Sequence, residues 1–508
     1  MNVEEIPSPA AAHGATTMLG NELATRSAQG VSGRLSSLAG DSLLVSILSP
    51  FAVLTRTNCR RILLAVVILD IPFQFGTHLF YDERIEQFGA MGGLGISSTT
   101  IALVGLYVSW FVCSLGRRDR DKDRPLHVSW SLLIYLLIIV ASLFVAQDIS
   151  LACFEACLFL QSFLVYIYVA NCIHTREDVL FVVRVLLAGA VVESLVMIVL
   201  SFTGMPSTIW GLPTHIHVEA GERDGFLRIG GTVGAPNTAA AYLSIVLSCG
   251  VAVLFAKLGS KHKLLAIAAL GLGGAALVAT FSRGGWLALL ISMTLFCLVA
   301  IRQRGVSLRA PVAILVILAL FYLPFHNVIS ARLLGDDKGS AESRIPLMNL
   351  AWRIFLDHPV LGVGTNNFSV VMDRYLTPEF RHGFLFVVHD KYLLVLCETG
   401  IGGLLAFLAF LLAALRRGWQ CWTFHDSFLS PLALGFAAGI AGDMVHMNVD
   451  VFRGQPMQQL IWLIAGLLVA MHRICAADQP EKLVPSNARQ LLSNPVNGRA
   501  RGTQVSSA

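Results

Sequence analysis

The segment RIGGTVGAPNTAAA at 228–241 combines residue types that can bind an anion. Arg228 supplies a permanently charged guanidinium, and three glycines loosen the backbone that follows it. Pro236 and Asn237 come where a helix would begin, and proline suits the first helical turn. Backbone N–H groups at a helix N-terminus, next to an arginine, favour a phosphate or a carboxylate. The alternative is a helix start without a ligand.

A second arginine, Arg283, lies in TFSRGGWLAL with almost no loop between the apolar stretches on either side. Placing a guanidinium where two apolar helices meet costs several kcal/mol unless a partner compensates the charge. A phosphate group of a substrate would do so. An internal carboxylate such as Asp443 or Glu193 would do so equally well, and the residues alone leave both alternatives open.

The stretch 330–390 separates two apolar runs and has organised sequence of its own. After Arg344, the segment LMNLAWRIFLDHP has apolar residues at helical spacing, and a helix there should end before Pro359. We expect this helix to lie on the membrane surface with Trp352 and Phe355 turned inward.

His389 and Asp390 stand directly before the next apolar run. A histidine there could act as a general base, although a lone histidine is more often a structural hydrogen-bonding group. Asp390 could cap the following helix while Lys391 extends its amine towards water. Glu398 follows Lys391 by seven residues, so it would lie on the same face of that helix and about 10 Å deeper in the membrane. It is a candidate functional carboxylate or, more plainly, one half of a salt bridge.

The composition indicates whether these elements lie in water or in a lipid bilayer. The 508 residues are 55% hydrophobic and only 14% charged, with a mean hydropathy of +0.69. Soluble proteins carry about 25% charged residues. This chain therefore has too little polar surface for a cytosolic enzyme, a nucleic-acid-binding protein or a disordered scaffold. The composition predicts an all-α polytopic membrane protein.

Runs of about 20 apolar residues are long enough to cross a bilayer. They predict about twelve spans, near 61–80, 96–115, 128–147, 151–172, 178–202, 236–256, 264–281, 285–301, 310–329, 391–415, 429–448 and 456–472. The shorter stretch 42–54 is predicted to be interfacial. Basic residues precede the first span and follow the even-numbered ones, so both termini are expected in the cytoplasm. The segments 81–95, 203–235, 282–284 and 330–390 then lie outside.

Three regions follow from this scheme. Residues 1–41 form a flexible cytoplasmic tail, 42–475 a multispan membrane domain with one large extracytoplasmic loop at 330–390, and 476–508 a second flexible cytoplasmic tail. The net charge of +5 fits cytoplasmic loops better than nucleic-acid binding. The ten cysteines are scattered singly, which predicts neither a disulfide framework nor a zinc site.

Four segments resemble the O-antigen ligase and polymerase family of bacterial cell-envelope proteins. They are RIGGTVGAPNTAA (228–240), SRGGWLAL (282–289), HPVLGVGTNNF (358–368) and HDKYLLVLCETGIGGLL (389–405), in the order of that family and around a large external loop. Together they cover roughly residues 228–405, whereas residues 1–200 match only as generic spans.

The resemblance implies an inverting glycosyl transfer at the outer face of the bacterial inner membrane, without a metal ion or another cofactor. The donor would be a glycan on undecaprenyl diphosphate, and the acceptor a glycan or lipid A–core. By the same resemblance, Arg228 and Arg283 bind the diphosphate and His389 is the base or orients the acceptor. We add Arg344 and Asn237 as substrate-binding residues.

Asp390 departs from the resemblance, because the family often has Asn at this position. An acid there could raise the basicity of His389 or be the base itself, so we include Asp390 among the catalytic candidates.

The sequence favours a polymerase over a ligase, with a chain-length regulator and a flippase as expected partners. A lipid-linked oligosaccharide flippase remains the alternative from another class, since Glu155, Glu193 and Asp443 fall within predicted spans.

Overall fold

A computed structural model describes residues 54, 56–115, 126–209, 211–218, 227–304, 323, 326–327, 329–330, 344–377 and 385–478. The helices are α1 Thr57–Phe73, α2 Glu83–Glu86, α3 Ser98–Leu115, α4 Trp130–Ser142, α5 Ile149–Cys172, α6 Arg176–Thr203, α7 Pro236–Phe255, α8 Ser260–Ala279, α9 Arg283–Arg304, α10 Arg344–Asp357, α11 Phe368–Val371, α12 Lys391–Thr423, α13 Leu429–His446 and α14 Gln455–Ala477, with a 3₁₀ turn at Met372–Tyr375. The strands are β1 Gly76–Leu79, β2 Leu94–Ser97, β3 Thr208–Ile209, β4 Leu212–Pro213, β5 His215–Val218 and β6 Leu227–Gly231.

The long helices coincide with eleven of the twelve predicted spans, namely α1, α3 to α9 and α12 to α14. Eight of the described helices are long and apolar enough to cross a membrane, and α3 and α4 are shorter apolar helices. The chain is therefore a multi-pass helical membrane protein. The predicted span 310–329 lies largely outside the described residues, as do the interfacial segment at 42–54 and both tails, so the number twelve stays a prediction.

The described residues are mostly helical, as predicted, and three short antiparallel hairpins accompany the helices: β1 pairs with β2, β3 with β4, and β5 with β6. They lie at one end of the bundle, called here the hairpin end, together with the segments 358–368, 385–390 and 447–454. Hydrogen bonds join these segments: Gln74 Nε2 donates to Thr232 O at 3.2 Å, and Asn366 Nδ2 donates to Met91 O at 2.9 Å. The backbone N–H of Val387 donates to Phe88 O at 3.0 Å.

The opposite end is held by charged groups. Arg176, the first residue of α6, donates to both carboxylate oxygens of Asp426 at 3.1 and 2.7 Å, and to Asp478 at 2.7 Å. Thr175 and Asp178 form a capping box that starts α6. Charged residues thus hold this end of the bundle together, and the apolar stretches of the helices pack between the two ends.

The centre of the bundle is formed by α7 and α13, which are the most buried of the long helices. Helix α13 packs against α7, α9 and α12, while α14 packs against α5. Helix α7 begins at the hairpin end and α13 ends there. Because both helices are tightly packed, the residues next to these two termini are held in place.

Helix α12 is kinked at Gly400, whose φ of 71° is left-handed. A β-carbon at Gly400 would lie 2.1 Å from Val360 O, so only glycine allows the segment 358–364 to approach here. That segment donates from Val363 N to Cys397 O at 2.9 Å and accepts from Ile401 N at Pro359 O at 3.0 Å. Irregular backbone beside a membrane helix must be shielded and hydrogen-bonded, and this contact provides both.

The predicted surface helix is α10, and it ends before Pro359 as expected. Its buried face consists of Leu347, Leu350, Ala351 and Ile354. Trp352 is half exposed and Phe355 is partly buried, and the expectation that both turn towards the membrane stays a prediction.

Candidate functional site

The hairpin end contains a cavity of about 1490 Å³. Its polar wall comes from the hairpins β1–β2 and β5–β6, from the start of α7, and from the segments before α12 and α14. Residues on this wall include His78, His215, His217, Asn237, His389, Asp450 and Arg453. The concentration of histidines and charged groups makes it the candidate functional site.

Arg228 lies on β6 and ties three elements together. Its Nη2 donates to Asn237 Oδ1 at 2.6 Å, and its Nε donates to Thr280 O at 3.0 Å. The register of the hairpin places His217 opposite Arg228. In the segment 228–241, which the sequence predicts to bind an anion, Arg228 is therefore connected to the first turn of α7 and to the end of α8. Asn237 lines the cavity, and Arg228 lies directly behind it.

Arg283 is the first residue of α9. The preceding Ser282 has its hydroxyl 3.5 Å from His446 Nε2 on α13 and accepts from Gly285 N at 3.3 Å. A β-carbon at Gly284 would lie 2.4 Å from His446 Cδ2, and one at Gly285 would lie 2.5 Å from the Ala240 Cβ on α7. The two glycines thus let the first turn of α9 press against the central helices, which fixes the position of Arg283.

The two internal carboxylates considered for Arg283 have other surroundings. Glu193 accepts from both the backbone N–H of Thr232, at 2.8 Å, and the Thr232 hydroxyl. Both carboxylate oxygens of Asp443 are buried, and neither accepts a hydrogen bond among the described residues. Neither carboxylate is therefore the hydrogen-bonded partner of the Arg283 guanidinium.

His389 is partly buried at the cavity wall, with its ring 5.1 Å from the ring of Phe386. Burial lowers the pKa of His389 below its ordinary value; the carboxylate of Asp450 opposes this shift, and the charge of Arg344 adds to it. An imidazole with a lowered pKa is neutral at pH 7 and can accept a proton. Arg344, at the start of α10, thus acts on His389 through its charge, although it does not line the cavity.

Asp390 points away from this wall. Its carboxylate accepts from the backbone N–H groups of Tyr392 and Leu393, both at 2.9 Å, and so caps α12. Burial raises the pKa of Asp390, whereas the two amide hydrogen bonds lower it. Asp390 is absent from the cavity lining. Its observed role is to start the helix that follows His389.

The expectation for Lys391 is wrong, because this side chain is only 7% exposed and does not extend to water. Glu398 is one half of a salt bridge, as its simpler interpretation predicted, and its partner is Arg453 from the segment before α14. The sequence did not indicate this partner, because Arg453 lies 55 residues beyond Glu398.

The sequence analysis did not single out Asp450, His78, His215 or His217, all of which line the cavity. For Asp450 a signal existed: the alternation of spans that places 330–390 outside also places the segment after the eleventh span there. The histidines lie on hairpins too short to be recognised by alternation. Among the described residues no three His, Cys, Asp or Glu side chains converge as a metal site would require.

Comparison with known proteins gives one family match. A family model described as "O-Antigen ligase" matches residues 267–408, which contain Arg283, Arg344, His389 and Asp390. Arg228 and Asn237 precede the matched range. This match confirms the resemblance to the O-antigen ligase and polymerase family.

No curated protein matches the chain. Among solved structures, a chain from work titled "Structural coordination of polymerization and crosslinking by a peptidoglycan synthase complex" is 14% identical. The match covers 69% of this chain and 99% of that chain, with a TM-score of 0.35, a similarity too low to define a shared fold.

Proposed function

We propose that this multi-pass protein, with its O-antigen ligase segment at residues 267–408, is a glycosyltransferase-type polymerase of lipid-linked oligosaccharide repeat units. It would act at the outer face of a bacterial inner membrane, with both termini in the cytoplasm and the hairpin end facing outwards. The donor would be a glycan on undecaprenyl diphosphate and the acceptor the next repeat unit.

The observation that carries the proposal is that Arg228, Asn237, Arg283 and His389 all lie at one end of the bundle. Asn237 and His389 line the cavity, whereas Arg228 and Arg283 are not part of its lining. Arg228 bonds to Asn237 on the cavity wall, and Arg283 begins the helix whose first turn contacts α13. A helix N-terminus and two guanidinium groups favour the negative charge of a diphosphate. His389 stands on the same cavity, where an acceptor hydroxyl could reach it.

The reaction needs no nucleotide, because the glycosyl–diphosphate bond already stores the free energy. The acceptor oxygen forms a bond to the anomeric carbon while the bond from that carbon to the diphosphate oxygen breaks, with inversion. The leaving diphosphate takes the bonding electrons, and Arg228 and Arg283 stabilise the developing charge. The hydroxyl proton passes to neutral His389. The arginines would take over the charge neutralisation that a divalent cation provides elsewhere.

An apolar extension of the cavity suits the polyprenyl chain of such a donor. It runs between α3 and α5 and is lined by Leu103, Val104, Tyr107, Phe154, Leu158 and Leu164. Val104 is 63% exposed and Leu160, also on the lining, is 47% exposed, so this side opens towards the lipid-facing surface. A long apolar chain could lie there while its diphosphate reaches the polar wall.

Narrowing this extension should weaken binding of the donor lipid. We expect Val104→Trp to raise the KM for a long-chain polyprenyl donor about tenfold, equal to about 1.4 kcal/mol, because the indole occupies space on the lining. The KM for a short-chain donor analogue should stay unchanged. Ile101→Trp is the matched control, since Ile101 is 71% exposed on the same helix but does not line the cavity. Equal KM changes for both donors, or in both variants, would contradict the assignment.

Deleting the gene in its host and analysing the glycans tests the function itself. A polymerase predicts loss of high-molecular-weight polysaccharide while single repeat units are still made. The specific alternative is a ligase, which the description of the matching family favours. In that case, long chains would remain on undecaprenyl diphosphate.

A flippase would instead leave repeat units on the cytoplasmic face. Transport of that kind needs ionisable groups that change partners near the middle of the bilayer. Glu155 is held by Arg453 and Thr365, and Glu193 by Thr232, whereas Asp443 accepts no hydrogen bond among the described residues. The fixed contacts of the two glutamates favour chemistry at the hairpin end over alternating access.

A further inference from the structure

Arg453, in the segment before α14, is buried and connects several elements of the hairpin end. Its Nη2 donates to Glu398 Oε1 on α12, and its Nε lies 3.5 Å from Glu155 Oε1 on α5. Its Nη1 donates to the backbone oxygen of Gly89 at 3.1 Å. The side chain is 7% exposed; Nη1 and Nη2 donate hydrogen bonds, whereas Nε forms an ion pair with Glu155 without a hydrogen bond. Although Arg453 touches the cavity wall, its guanidinium is therefore engaged within the protein.

Both carboxylates also hold the segment 361–368. Glu155 Oε2 accepts from the Thr365 hydroxyl at 2.8 Å, and Glu398 Oε1 accepts from the backbone N–H of Phe368 at 3.2 Å. The same segment binds the kink of α12 through its backbone. A single guanidinium thus joins two membrane helices, the β1–β2 hairpin and the loop that follows α10.

These contacts continue to His389. Gly89 lies against Phe386, since a β-carbon at Gly89 would be 2.6 Å from Phe386 Cζ. The ring of Phe386 in turn lies 5.1 Å from the ring of His389. Asp450, three residues before Arg453 in the chain, stands on the same cavity wall as His389. Arg453 is therefore connected to His389 through Gly89 and Phe386, and to Asp450 through the chain between them.

We propose that Arg453 is a positioning residue for the glycosyl transfer, acting through Glu155, Glu398 and the Gly89–Phe386 contact to hold His389 and Asp450 at the cavity wall. This inference rests on the proposed function. Displacement of a reacting group by about 1 Å can cost about 100-fold in rate, so a loosened guanidinium would slow the chemical step without removing a substrate contact.

The test uses the full-length protein reconstituted in liposomes with a purified lipid-linked repeat unit. Arg453→Lys keeps the charge but loses the planar fork that reaches three acceptors. We expect kcat to fall about 10- to 100-fold, while the KM for the donor stays within about twofold. Phe386→Leu should give a smaller fall in kcat, again without a change in KM, and it leaves the buried charges in place.

Arg176→Lys is the matched control. Arg176 makes a forked contact with Asp426 and a further contact with Asp478 at the opposite end of the bundle. Its replacement should lower the Tm but leave kcat within about twofold of wild type, because only local stability depends on it.

Several results would overturn the inference. The first is a wild-type kcat in both Arg453→Lys and Phe386→Leu. The second is an increased KM with unchanged kcat in Arg453→Lys. The third is a loss of kcat in Arg176→Lys equal to that in Arg453→Lys. If Arg453→Lys does not accumulate, a wild-type kcat in Phe386→Leu alone suffices to reject it. Absence of turnover in the wild-type protein would refute the proposed function, whereas normal wild-type turnover with unaffected variants would refute the inference alone.

Discussion

Replacing Arg283 with alanine is expected to abolish the polymer while the protein still accumulates in the membrane. Arg283 begins α9, where the helix dipole and its permanent charge would both stabilise the leaving diphosphate of the proposed reaction. Loss of one such donor reduces rates about 100- to 1000-fold. The measurement is the turnover of a lipid-linked repeat unit by purified protein, with the glycan profile of the complemented host beside it.

Lysine at this position should rescue poorly, because a point charge lacks the two parallel N–H groups that match a diphosphate oxygen pair. Arg302→Ala is the matched control: Arg302 is exposed near the other end of the same helix. It should leave turnover unchanged. Full activity in Arg283→Ala would reject the diphosphate role.

The two carboxylates considered for Arg283 have other surroundings. Glu193 is bonded to Thr232, and Asp443 accepts no hydrogen bond among the described residues. The replacement of Arg283 by alanine therefore removes no hydrogen bond to either carboxylate.

The sequence predicted the long helices well because a run of apolar residues is a local property. Twenty apolar residues define a helix whatever surrounds them, and eleven of the predicted spans are helices in the structure. The ends were less accurate where polar residues begin a hairpin: the first predicted span extends to residue 80, but α1 ends at Phe73 and β1 follows. Strands of four residues carry too few alternations to be recognised.

The sequence could predict the motifs of the candidate site, but it could not predict which residues of different helices contact one another there. Spacing correctly placed Pro236 in the first turn of a helix and Asp390 at a cap. It could not reveal that Arg453 pairs with both Glu155 and Glu398, which come from different helices. Such pairs depend on tertiary packing, and only the need to compensate a buried charge indicates that some partner must exist.

The second large effect on turnover is expected from replacing His389, and replacement of the neighbouring Asp390 serves as the comparison. His389→Gln should lower turnover about 100- to 10,000-fold, the range in which a general base contributes. Asp390→Asn should retain most activity and stability, because asparagine caps a helix about as well as aspartate. If Asp390 were the base, the two results would be reversed.

The pH dependence adds an independent check on this assignment. Burial lowers the pKa of His389, with Arg344 adding to the shift and Asp450 opposing it. Because the neutral imidazole would accept the proton in the proposed reaction, turnover should be full near pH 7 and fall only as the pH drops through a value below about 6.5. Asp450→Asn removes the opposing charge and should move this acidic limb to still lower pH. An acidic limb that disappears in Asp390→Asn, and is untouched in Asp450→Asn, would identify Asp390 as the titrating base.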